Sequence, residues 1–238
     1  RSCWVIIECS DDVEYDDNDE CYCHSCYSSR YANSIRSYGY KPSPIFLHKT
    51  PPQHSKFFGV ELEVDNGNNA GETAYQVCKM LDDRVYCKHD GSLSCRGFEI
   101  VSHPATLDFH EEEMGWQQTF DLLVEKQFRS HDTTTCGLHV HVSREAFGKG
   151  QVRREMIGRT ILFVENNWSD IIKFSRREED RVNQWAGRYR NIRQEDSPED
   201  AFSKANNDGD RYRAVNLRCA PTIEFRFFRG TLKANTFF

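Results

Sequence analysis

Three short runs of this 238-residue chain place chemically capable side chains two residues apart. Glu61, Glu63 and Asp65 alternate with Val60, Leu62 and Val64. His139 and His141 alternate with Leu138, Val140 and Val142. Glu224 and Arg226 alternate with Ile223, Phe225 and Phe227. Side chains of a β-strand point to opposite faces in turn, so each run has one apolar face and one polar face. Gathered on neighbouring strands, the polar faces would bring carboxylates, two imidazoles and a guanidinium to one surface. Carboxylates that close repel one another, and a divalent cation relieves the repulsion. Carboxylate oxygens with a histidine suit Mg²⁺ or Mn²⁺, and Arg226 would then face a phosphoryl group as a fixed positive charge. Any single run also reads as an ordinary solvated strand face. A zinc hydrolase built on His139 and His141 fits less well, because the surrounding carboxylates favour a harder ion.

The elements that must position these residues follow from periodicity. Phe58 to Asp65, Arg84 to Lys88, Phe98 to Ser102, Leu138 to Ser143, Arg213 to Arg218 and Thr222 to Phe228 read as strands. Ala74, Val77, Cys78 and Leu81 mark one helix, and Trp116, Phe120, Leu123, Val124 and Phe128 a second. Ile157, Ile161, Val164, Trp168 and Ile171 mark a long third helix, followed by a charged stretch from Arg176 to Asp210. The order is mixed and no internal repeat is evident. The expected fold is α+β, a mainly antiparallel sheet with helices on one face. It occupies residues 54–238, after a Cys-rich unit at 1–30 and a Pro-containing linker at 31–53.

Five of the ten cysteines fall in the first 26 residues. Cys23-His24-Ser25-Cys26 is a C-x-x-C knuckle, and Cys3 opens a strand-like run. Cys3, Cys23 and Cys26, completed by Cys9, Cys21 or His24, therefore form a candidate zinc ribbon with a structural Zn²⁺. Free structural thiols are the other reading. The remaining cysteines are scattered as reduced thiols would be, which indicates the cytoplasm. A net charge of −6, and the acidic run Asp11 to Glu20 beside the ribbon, disfavour nucleic acid as a partner. No run reaches the length of a membrane span, and no signal peptide is visible. The sequence begins at Arg1 rather than Met, as a fragment would.

Taken in order, the motifs resemble glutamine synthetase and its carboxylate-amine ligase relatives. Gly59 to Glu63 resembles their E-x-E strand, Gly137 to Ser143 their G-x-H-x-H-x-S strand, and Ile223 to Arg226 with Ala234-Asn235 their late E-x-R strand. The resemblance is nearest to the phage- and bacteria-associated amidoligases, through Lys88 to Leu93, Gly97 to Ser102 and Phe228 to Leu232. It spans about residues 57–238, without the separate small N-terminal β domain of glutamine synthetase, and stops where more helix is expected. The resemblance implies ATP-dependent joining of a carboxylate to an amine, each an amino acid, peptide or protein, through an acyl-phosphate at two Mg²⁺ or Mn²⁺ ions. Glu61, His139 and Glu224 would hold the ion nearer the γ-phosphate, and Glu63 with Glu99 the other. His141 would touch phosphate, Ser143 at the end of the same strand would join it in binding the nucleotide, and Arg226 would do so too while stabilising the transferred group. Arg229 has the opposite strand parity and reaches the site only if the strand bends near Phe228. Lys88 and Asp90, on a turn, would contact substrate or phosphate; an exposed polar turn is the alternative. The competing functions are a metal-dependent phosphotransferase or hydrolase, and a non-catalytic binding module in which the ribbon recruits partners.

Overall fold

The computed structural model describes residues 13–15, 21–23, 31–49 and 56–238. Val13–Tyr15 (β1) and Cys21–Cys23 (β2) pair antiparallel. Cys3, Cys9, His24 and Cys26 of the expected zinc ribbon lie outside the described residues, and of Cys21 and Cys23 only their place in β2 is described.

The rest is an α+β fold built on one seven-stranded sheet. Its strands are Ile35–Arg36 (β3), Phe58–Val64 (β4), Val85–Lys88 (β5), Phe98–Ser102 (β6), Gly137–Ser143 (β7), Val215–Asn216 (β8) and Thr222–Arg229 (β9), arranged β3-β5-β6-β4-β7-β9-β8. All neighbouring pairs are antiparallel except β3 with β5, so the sheet is mixed. The parallel partner comes from the Pro-containing stretch. Ile35 pairs with Cys87, and Leu47 bridges to Ala105, so residues 31–49 lie along the sheet.

The apolar alternates of the strands bury against helices in two clusters. Val60, Leu62 and Val64 pack with Ala74 and Val77 of Ala70–Met80 (α1). Leu107–Glu112 (α2) leads into Trp116–Glu125 (α3), whose Trp116, Phe120 and Leu123 complete this cluster. The second cluster joins Ile223 and Phe227 to Gly150–Asn166 (α4), Trp168–Ser175 (α5), Glu179–Trp185 (α6) and Pro198–Asn206 (α7). Ala234–Phe237 (α8) ends the chain. Each fully buried large apolar side chain contributes about 1.5–3 kcal/mol, which makes the apolar alternation itself the main source of stability. At Gly158 of α4 an added Cβ would stand 1.8 Å from Pro198 O, so only glycine lets α7 approach this closely.

Four expectations are corrected. The long third helix breaks at Asn167, whose φ of −111° and ψ of 29° stop the helix and whose Nδ2 donates to Phe163 O; α5 then restarts at Trp168. The second helix ends at Glu125, leaving Val124 exposed, and a left-handed Gln127 turns the chain so that Phe128 still reaches the core. The penultimate strand shrinks to Val215–Asn216. The charged stretch contains α6 and α7, the latter begun by Pro198 and capped by Ser197 Oγ accepting the Asp200 N–H. Among the described residues no helix is long and apolar enough to cross a membrane.

Candidate functional site

The three polar runs lie on β4, β7 and β9, which are adjacent, and cross-strand register lines their polar residues up. Glu61 stands opposite His139, His141 opposite Glu224, and Glu224 opposite Asn216. On the other side Glu63 faces Glu99 across β4 and β6, and Glu99 faces Lys88 across β6 and β5. Two carboxylates directly opposite each other are destabilising in a sheet unless something positive joins them. The row floors a pocket of about 880 Å³, whose walls include Asp90, Arg177, Trp185 and Tyr212.

Within the row, His139 Nδ1 lies 3.3 Å from Glu61 Oε2 and 3.6 Å from Glu224 Oε1, and His141 Nε2 lies 3.3 Å from Glu61 Oε1. Glu224 is clasped by the Arg226 guanidinium and by Asn216 Nδ2 at 2.7 Å. Lys88 Nζ reaches Glu99 Oε2 at 3.0 Å. Glu63 accepts the Gly137 N–H. The electrostatics follow from this geometry. Burial works against the Glu61 carboxylate, but the attraction of His141 and the hydrogen bonds from both histidines hold its pKa well below the usual range. Burial raises the pKa of Glu63, with Asp90 adding to it. Burial and the charges of Glu61 and Glu63 push Glu99 well above its usual value. His141 is raised to about 10, because Glu61 outweighs the burial that disfavours its charge.

Among the described residues two groups could hold a cation. Glu61, His141 and Glu224 each offer an atom within 4.8 Å of the others, and so do Glu61, Glu99 and His139. The donor set fits a hard divalent ion, being carboxylate oxygen with imidazole nitrogen. His141 Nε2 and Glu99 Oε2, both buried, face Glu61 Oε1 at 3.3 Å and Lys88 Nζ at 3.0 Å as ion-pair partners, contacts that a bound cation would replace. Glu61 belongs to both groups. Metal addition is therefore expected to stabilise the protein: at about one hundred times Kd the gain is about 2.7 kcal/mol, or a Tm rise of about 5–10 °C for a domain this size. A thermal melt unchanged by Mg²⁺ and Mn²⁺ would rule the cation site out.

The remaining candidates fall as follows. Lys88 is not on the turn but is the last residue of β5, buried, with Glu99 and Glu61 raising its pKa against the effect of burial. Asp90 is on the turn, lines the pocket, and accepts from Ser92 N and Oγ. Ser143 ends β7, where its N–H donates to Phe57 O, away from the pocket lining. Between Leu138 and Val140 the register to β9 slips, Leu138 pairing with Phe228 and Val140 with Phe225. The extra residue restores Arg229 to the parity of Gly137 and His139, with which the polar face is built, although Arg229 does not line the pocket. Asp65 shares the face of Glu61 and Glu63 but is engaged elsewhere, accepting from Ser94 N and Oγ.

Residues that sequence reasoning missed complete the site. Asn216 had a readable signal, since it alternates with Val215 and Leu217. Arg177, Trp185 and Tyr212 carry none, lying in or beside the aperiodic charged stretch. Arg177 Nη1 donates to Arg226 O, and burial lowers its pKa. Comparisons with curated proteins and with solved structures each return no match. Residues 48–237 match the family described as "putative amidoligase enzyme", and with most of the chain covered this protein belongs to that family.

Proposed function

We propose that the protein is an ATP-dependent ligase that joins a carboxylate to an amine through an acyl-phosphate, forming an amide or peptide bond. The observation carrying this reading is the convergence of Glu61, Glu63, Glu99, His139, His141, Glu224 and Arg226 on one pocket floor in a chain of the amidoligase family. A carboxylate does not acylate an amine at neutral pH, because its oxygen is a poor leaving group. In the proposed reaction a carboxylate oxygen attacks the γ-phosphorus of ATP and the bond to ADP breaks. The amine nitrogen then attacks the acyl carbon, the C–O bond to phosphate breaks, and the ammonium proton passes to solvent or base. Mg²⁺ or Mn²⁺ bound at the carboxylates would neutralise phosphate charge. Glu61 would be the shared ligand, with His139, His141, Glu224 and Glu99 around it. Arg226, planar and fixed between Glu224 and the Trp185 carbonyl, is suited to hold the transferring group. Lys88 and Arg177 add positive charge on either flank. The reading suits free or protein-borne amino groups in a cytoplasm as partners.

The test is ADP and phosphate release with Mg²⁺ or Mn²⁺ and pooled amino acids and peptides, with mass spectrometry of the products. A product lighter than its two substrates by one water is expected. ADP formed alongside a stable phosphorylated product would make the enzyme a phosphotransferase, and no metal-dependent binding of a non-hydrolysable nucleotide would end the ligase reading.

A further inference from the structure

The pocket's charges are segregated. Apart from Asp90 on its turn, the carboxylates lie on the strands of the floor, whereas a second set of cations lies on three segments beside it. Lys41 comes from the stretch along β3, and Arg211 and Arg218 come from the segments flanking β8. None of the three has a carboxylate partner among the described residues. Arg211 donates to the neutral hydroxyls of Tyr38 and Tyr212, and Arg218 Nη1 to the Gly209 carbonyl at 2.6 Å. Lys204 pairs with Asp196 and Arg159 with Glu155, whereas these three line a concave pocket with no acid among the described residues paired to offset them. Uncompensated positive charge focused at one edge of a concave site attracts an anion.

The geometry also sets where that anion would lie. Arg211 Cζ stands 4.8 Å from the centre of the Tyr212 ring, and Arg226 Cζ stands 6.0 Å from the same ring. Trp185 packs edge-on to Tyr212 at 5.3 Å, holding it in place. The guanidinium proposed to grip the reacting phosphoryl group and that of Arg211 thus both lie against one aromatic ring. The Tyr38–Arg211 hydrogen bond joins segments 173 residues apart across the pocket mouth, so the edge is assembled only when both segments are in place. Planar guanidinium groups stacked on rings suit planar carboxylates.

We propose that Lys41, Arg211 and Arg218, positioned by Tyr38 and Tyr212, form a subsite for a second carboxylate on the organic acid whose first carboxylate is activated. This rests on the ligase reading, and it makes the substrate a dicarboxylate or an acidic peptide. A nucleotide phosphate is the other anion with the same chemistry.

The experiment is calorimetry on the full chain with succinate, glutarate and adipate against butyrate, each with and without a non-hydrolysable ATP analogue and Mg²⁺. The best dicarboxylate is expected to bind about tenfold or more tightly than butyrate, the scale of one charge-assisted contact. Arg211→Gln and Arg218→Gln, both at exposed positions and checked for fold by circular dichroism, should each remove that advantage. A tenfold loss of nucleotide affinity in these variants would assign the cations to phosphate and overturn the subsite. So would equal binding of butyrate and dicarboxylates, or an advantage that survives both substitutions. Absence of nucleotide binding by the unmodified protein counts against the ligase reading alone, because the dicarboxylate titration without nucleotide still reports on the subsite.

Discussion

Glu61→Gln is expected to slow ADP formation by about 10³-fold, the upper range for removing one preorganised charged group, while leaving the protein folded. Glu61 is the residue common to both groups that could hold a cation. Its two oxygens face different histidines, Oε2 toward His139 and Oε1 toward His141, each at 3.3 Å. Glutamine keeps the shape but offers one oxygen and no negative charge, so neither group keeps its ligand set. His141 also loses the main attraction that keeps it charged. The measurement is ADP release under saturating nucleotide together with Mn²⁺ titration by calorimetry. Turnover and Mn²⁺ affinity both near those of the unmodified protein would show that Glu61 is not a shared ligand.

Arg226→Lys should cost about 10²-fold in the same assay. Lysine keeps a positive charge but loses the planar fork, which here bridges Glu224 and the Trp185 carbonyl beside the Tyr212 ring. The loss should fall on turnover rather than on nucleotide affinity, because a group aimed at the transferring phosphoryl acts mainly in the transition state. Asp65→Asn is the internal control. Asp65 shares the strand face, yet its oxygens accept hydrogen bonds from Ser94, Asn66 and Thr135. It should leave turnover close to normal. Normal turnover in Arg226→Lys combined with a large loss in Asp65→Asn would place the chemistry at the other end of β4.

The candidate floor was readable because alternation is local. Val60, Leu62 and Val64 must be buried, so Glu61 and Glu63 must face the other way, and the same holds for His139 with His141 and for Glu224. Arg229 shows the limit of that reasoning. Strand parity carried along β9 puts it on the apolar face, and the register slip opposite His139 returns it to the polar one. A bulge is one extra residue in a ladder, and it leaves no mark in the pattern of a single strand. The helix break at Asn167 escaped notice for a similar reason. Ile157, Ile161, Val164, Trp168 and Ile171 remain in one buried cluster on both sides of the break, so the apolar pattern continues through it. The capped start of α7 at Ser197-Pro198 was legible but overshadowed by the charge around it.

By itself the sequence determined which residues share a face, the ordered motifs by which the chain resembles the amidoligases, and the α+β class, because these depend on periodicities of two and near four along the chain. Only the tertiary structure decided that β4, β7 and β9 are neighbours, that Glu61 rather than Glu63 stands between the two histidines, and that Lys88 closes on Glu99. It also decided that Tyr38 and Arg211 meet across the pocket. Strand order and register are set by which apolar faces pack best against shared helices, and long-range closure carries no local signature. Residues 31–49 and the segment from Arg176 to Arg218 have too little periodicity to announce where they go. They enter the site because the sheet and its helices leave them that edge to cover.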